Sequence, residues 1–201
     1  MARKKRPIQA DFNRLQRGAE RRIAGLCRRL VDGKLDAAAW SDQMVGALAE
    51  RHGAAAALGR QKAGRPGPRG KEDDQLGDAV ATLEAKFLYR FQQDIEGGRY
   101  TDDDGELDGD RITARAKLYA RRLLGTANEA FVLATPADTL LDWHLGYTED
   151  NCDDCPTLAE NGPYRPEDLT FFPRSGDTRC LFNCKCSLVR QDGITSFLAP
   201  E

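Results

Sequence analysis

No apolar run in this chain approaches the length needed to cross a bilayer, and the basic opening Arg3-Lys4-Lys5-Arg6 is followed by no apolar segment of the secretion-signal kind. No membrane partner is expected, and a cytoplasm is the expected place of synthesis. Catalytic signatures are also missing. There is no Gly-x-x-x-x-Gly-Lys-Ser/Thr loop, no Gly-x-Ser-x-Gly elbow and no His-Glu-x-x-His helix, so nucleotide hydrolysis, esterase and zincin chemistry lack their minimum parts. Histidine is scarce, at two residues, which leaves few imidazoles for a base or a metal. His52 reads as a surface or packing residue, and His144 as a strand residue more than a ligand. A net charge of -2 over 201 residues excludes a general polycation that coats nucleic acid. The chain is not expected to be an enzyme.

Cysteine is what the chain does have. Five of its six cysteines fall in the last quarter, as Cys152-x2-Cys155-Pro156 and Cys180-x3-Cys184-Lys185-Cys186. Two tight groups of soft ligands joined by a Gly/Pro-rich crossing suit a structural zinc site, which needs four thiolate or imidazole ligands in a tetrahedron and no regular scaffold between them. Zn2+ held by a selection of Cys152, Cys155, Cys180, Cys184 and Cys186 is the expected cofactor. Five thiols leave one spare, and Cys184 and Cys186 compete for the last place because a two-residue step puts both on one face of a strand. The same spacing would give disulfides in an oxidising compartment, and redox thiols or an iron–sulfur cluster share the ligand types without the accompanying motifs. Cys27 reads as an ordinary core thiol.

The remaining text is mostly helical. Residues 1–7 form a basic arm without periodicity, expected to be flexible. Phe12, Leu15, Ala19, Ile23, Leu26 and Leu30 recur at helical steps, followed by Trp40, Met44, Leu48, Ala55 and Leu58, which makes 8–58 an N-terminal helical region. Residues 59–74, with Arg65-Pro66-Gly67-Pro68-Arg69-Gly70, read as an exposed basic linker unable to hold a helix. A long-helix region, 75–136, carries the stripe Leu76, Val80, Leu83, Phe87, Phe91 and Ile95, and then a single helix through Ile112, Ala116, Tyr119, Leu123, Ala127 and Phe131. Between them, residues 101–110 are dense in acid. With Gly109 as the sixth position of a calcium loop, the twelfth is Arg115 and not Glu, so a solvated turn that caps the next helix is expected. Residues 137–201 form the cysteine-rich metal-binding module, with short strands near Leu141 to Leu145 and Cys184 to Val189. The expected fold is mainly α-helical, with a small C-terminal α+β, zinc-ribbon-like module.

Several stretches of the C-terminal half are distinctive as text. They are Arg115 to Ala120, Leu124-Gly125-Thr126-Ala127-Asn128-Glu129-Ala130, Trp143-His144-Leu145, Cys152 to Pro156, Gly162-Pro163-Tyr164 and Gly176 to Cys180 with Asn183-Cys184-Lys185-Cys186. Together they resemble the minor head or head-morphogenesis proteins of tailed bacteriophages, the Mu gpF-like group, whose last part carries C-x2-C and then His-Pro-x-Cys-Arg-Cys. The His-Pro step is missing here, and Cys180 stands one position further from Cys184 than that His would. The resemblance implies a structural minor head protein of the virion, assembled in the host cytoplasm. Its implied partners are the portal or major capsid protein and copies of itself, with packaged DNA touched by the basic arm. The alternative is a zinc-ribbon-like nucleic-acid adaptor that uses Arg3 to Arg6 and Arg60 to Lys71 on phosphate.

Overall fold

A computed structural model describes residues 8–147 and 151–198. The basic arm, and with it Arg3 to Arg6, lies outside the described residues. The first helix, α1 (Ile8–Val31), buries Phe12, Gln16, Ala19, Ile23, Leu26, Cys27 and Leu30 on one face, and arginines occupy the other. Helix α2 (Ala37–Lys62) opens on Asp36, whose Oδ1 accepts a bond from Ala39 N at 2.7 Å and so satisfies one of the orphan donors of the first turn. Trp40, Met44 and Leu48 point from α2 into the core, where Trp40 meets Phe91 edge-on at 5.3 Å.

Helix α3 (Lys71–Glu96) packs along α2, and small residues set the contact. A Cβ on Gly77 would collide with Gly53 N and lie 2.8 Å from Ala49 O, so the two backbones touch where only hydrogen fits. The buried face of α3 is therefore Gly77, Ala81, Glu84, Leu88, Phe91 and Ile95. This differs from the stripe read from bulk, since Leu83 is 64% and Phe87 36% exposed. Phe91 and Ile95 face the core as expected, while in the first half of the helix the packing of Gly77 and Ala81 turns the buried face about one position away from Leu76, Val80, Leu83 and Phe87.

The exposed connection expected over 59–74 is confined to its middle, with residues 64–70 exposed and outside any helix. Helix α2 continues through Gly59 to Lys62, with Gly59 pressed against the backbone of the fifth helix, and α3 already begins at Lys71. Arg60 closes the short connection: its guanidinium donates to Arg65 O at 2.8 Å, Pro68 O at 2.9 Å and both oxygens of Asp73. Asp73 Oδ2 in turn accepts from Gly70 N at 2.8 Å, at the start of α3.

The acidic segment is a turn, as expected. Asp102 Oδ1 accepts from Asp104 N and Glu106 N, and Asp108 caps α4 (Gly109–Arg121) through Arg111 N at 3.0 Å. The single helix expected from Ile112 to Phe131 is two helices, α4 and α5 (Leu123–Ala134), which break at Arg122. Almost every side of α5 is buried, between α2, α3 and the C-terminal module. After α5 come β1 (Leu141–His144), α6 (Asp154–Glu160) and β2 (Ser187–Arg190). The strands pair antiparallel, Leu141 with Arg190 and Trp143 with Leu188, in a two-stranded sheet. The fold is thus mainly α-helical with a small C-terminal sheet and a cysteine cluster.

Two apolar clusters result. The larger joins α1 to α5 and includes Phe197, whose ring lies 5.0 Å from Phe12. The smaller surrounds Trp143, Leu188, Cys155, Cys184 and Cys186.

Candidate metal centre

The cysteine groups are brought together by the sheet and by two short turns. Cys152 and Cys155 flank the first turn of α6, where Cys155 N donates to Cys152 O at 3.1 Å. Cys180 and Cys184 bracket a 3-10 turn, Leu181–Asn183, and Cys186 stands just before β2. Cys184 and Cys186 therefore lie on the approach to the strand, which begins three residues later than read from the sequence. Both are nevertheless buried and turned toward Cys155.

The sulfurs form two overlapping groups, Cys152, Cys155, Cys180 and Cys155, Cys184, Cys186, each within 4.8 Å. From Cys155 Sγ the distances are 3.3 Å to Cys152, 3.7 Å to Cys180 and 3.9 Å to Cys184. A metal–thiolate bond of about 2.3 Å gives a tetrahedron with sulfurs about 3.8 Å apart, so this donor set fits a metal ion. Cys155 belongs to both groups and is the centre of the arrangement. His144 is exposed and belongs to neither group.

Burial, followed by hydrogen bonds with Cys152 and Cys186, pushes the Cys155 thiol up. The hydrogen bond with Cys186 and then burial push Cys184 up as well. Cys186, stabilised as thiolate chiefly by Cys184 and also by Gly146 N–H, is lowered to about 5. Among clustered buried sulfurs one negative charge suppresses the next, and a dication is what allows several thiolates at once. Polar contacts hold the two cysteine turns in place. Arg174, buried, donates from Nε to Cys184 O at 2.7 Å; Thr178 Oγ1 lies 3.3 Å from Cys180 Sγ; and Arg179 N donates to Asp154 Oδ2 at 2.7 Å, tying the two cysteine turns together.

A second polar cluster was not anticipated. His52 is fully buried, with Nδ1 2.7 Å from Thr126 Oγ1 and Nε2 3.3 Å from Glu84 Oε2, and Glu84 Oε1 lies 2.8 Å from Arg122 Nε. If Thr126 donates to Nδ1 and Nε2–H to Glu84, a neutral ring satisfies both. The cluster ties α2, α3 and α5 together at the α4–α5 break. The signal available in sequence was Glu84 itself, an acid among apolar residues at helical steps. A recess of about 210 Å3 adjoins it, where Glu129 is pushed up by burial and by Asp177.

Two cations of the basic stretch from Arg60 to Lys71 are committed internally. Arg60 is bonded as above, and Arg69 pairs with Asp74 and donates to Glu50 O at 2.8 Å. Arg65 and Lys71 of the same stretch are exposed. The chain matches no protein family, no curated protein and no solved structure, which overturns the virion, bacteriophage, capsid, head-morphogenesis and minor-head labels drawn from the resemblance.

Proposed function

We propose that the chain is a non-catalytic structural protein in which one zinc ion, held by four of the five clustered thiolates, fixes a small zinc-ribbon-like module against a helical body. The observation that carries this reading is that two groups of three sulfurs, each within 4.8 Å, share Cys155, from which Cys152, Cys180 and Cys184 lie at 3.3, 3.7 and 3.9 Å. Zinc suits an all-sulfur site with no demand for redox change, and four thiolates leave no open position for a substrate or an activated water. Metal binding would supply folding energy where the chain has least apolar matter, since the smaller cluster holds only a handful of large side chains.

Elemental analysis of reduced protein, purified without added metal, tests the reading. About one zinc per chain is expected. Cobalt substitution should give the intense thiolate charge-transfer and visible bands of a tetrahedral sulfur site. A zinc content near zero in folded, reduced protein would sink the proposal.

A further inference from the structure

At the junction of the helical body and the cysteine module lies a recess of about 300 Å3, lined by Phe87, Leu118, Tyr119, Leu181 and Phe182 together with Arg115 and Arg122. Its apolar rim is open to solvent: Leu83 is 64% exposed, Leu118 40% and Leu181 51%. Leu83, one turn along α3 beyond Phe87, extends the apolar strip toward the adjoining recess that contains Glu84, Glu129 and Asp177. The opposite wall is the turn 181–183, pinned at each end by Cys180 and Cys184. Leu181 is held there at φ 50, in the left-handed region unfavourable to a side chain, and yet it points its bulk outward. A strained apolar residue at the lip of a groove, between two candidate ligands, is not explained by core packing.

The charges at the recess itself are cationic. Arg122 lies 3.9 Å from the Phe182 ring centre and 5.6 Å from that of Phe87, Lys86 Nζ sits 4.9 Å from the Phe87 ring centre, and Arg115 reaches over Phe91 at 5.8 Å. No carboxylate lines this recess among the described residues. Arg122 is half-committed to buried Glu84, whereas Arg115 and Lys86 present exposed cationic heads beside apolar carbons.

We infer that this groove docks a segment of another protein: an amphipathic helix with leucine-like residues along one face and aspartate or glutamate flanking them. The apolar strip takes the helix face, and Lys86, Arg115 and Arg122 take its acidic borders. Charge complementarity selects the occupant. The acidic turn of this same chain, residues 102–106, has no apolar side chain with which to fill the recess, so a second copy offering that turn fits poorly.

The test uses the full chain and a fluorescein-labelled helical peptide of about five turns, with leucines on one face flanked by glutamates, set against the same peptide with lysines in place of the glutamates. Fluorescence anisotropy should give a Kd for the acidic peptide at least about tenfold below that of the basic one, with the difference shrinking as salt rises. Arg115→Glu and Leu118→Ser both change exposed side chains, and should each weaken the acidic peptide about tenfold while the circular dichroism and the melting temperature stay unchanged. Equal affinity for the two peptides, absence of binding by the acidic peptide, or indifference to both substitutions would overturn the inference. So would a concentration-dependent dimer in sedimentation that Leu118→Ser abolishes, because it would give the groove to a second copy.

Discussion

Cys155 is the one sulfur common to both thiol groups, and that position sets its expected effect apart from its neighbours. Cys155→Ala should release metal at far lower chelator concentration than the wild-type chain, read by a colorimetric zinc indicator. Of Cys184→Ala and Cys186→Ala, one should be nearly silent, because five thiols exceed the four places of a tetrahedral ion. Equal and severe loss in both would point to two ions bridged by Cys155. At Glu84 the argument concerns removal of a charge that two partners need. Glu84→Ala leaves the buried His52 ring with an unmet donor and Arg122 without its counter-charge, and should cost about 3–5 kcal/mol in urea unfolding. His52→Ala should cost less, since Glu84 keeps Arg122. A loss for Glu84→Ala below about 1 kcal/mol would mean that water replaces the carboxylate there.

Between elements, the controlling feature is how closely backbones approach. Gly77→Ala should destabilise the chain by at least about 1–3 kcal/mol, because the added Cβ meets the backbone of Gly53 and Ala49 and can be admitted only by moving α2 from α3. Thermal unfolding would read this directly, and an unchanged melting temperature would contradict the crossing. The α2–α3 connection carries its own pH signature. Burial opposes ionisation of Asp73, but the bonds from Arg60 and Gly70 N–H outweigh it and hold its carboxyl below the usual range. A depressed folded pKa stabilises the fold fully above about pH 4, the unfolded value, and this contribution is lost as pH falls through the folded value. Asp73→Asn should therefore destabilise the chain by about 2 kcal/mol at neutral pH and by less in acid. These two sites also mark how far the sequence could be read. The stripes of α1 and the first half of α2 were legible because bulky residues face the core there, and the strand at Leu141 was legible from its alternation. On α3 only Phe91 and Ile95 were legible; in its first half glycine and alanine set the packing, and hydrophobic periodicity does not register them. Nor was the extension of α2 past Gly59, which depends on Arg60 folding back over the loop, a contact with no local pattern. In the metal centre, the ligand types and both groups were legible from spacing; the central place of Cys155 is a three-dimensional fact.

For the molecule as a whole, the question is what a metal at the cysteine cluster would hold. The cysteine module is bracketed by the helical body: the chain leaves α5 to enter it and returns at Phe197, which packs on Phe12 and donates its N–H to Asn128 Oδ1 at 3.0 Å. Asn128 also donates from Nδ2 to Pro173 O at 3.1 Å, and Arg190 donates to Ala63 O at 2.6 Å. These ties do not pass through sulfur, so removing the metal should leave them in place while the two cysteine turns lose their common centre. The larger apolar cluster contains Trp40, Phe91, Phe12 and Phe197 and no clustered thiol. Hydrogen exchange before and after chelation should then show amides between Cys152 and Cys186 losing protection first, with α1, α2 and α3 unchanged. The far-ultraviolet circular dichroism should fall only slightly, because most helical residues lie outside the module. Loss of protection throughout α1 to α5 would show instead that the small cluster, through Asn128 and Phe197, supports the large one, and would move the centre from a local staple to a condition for folding.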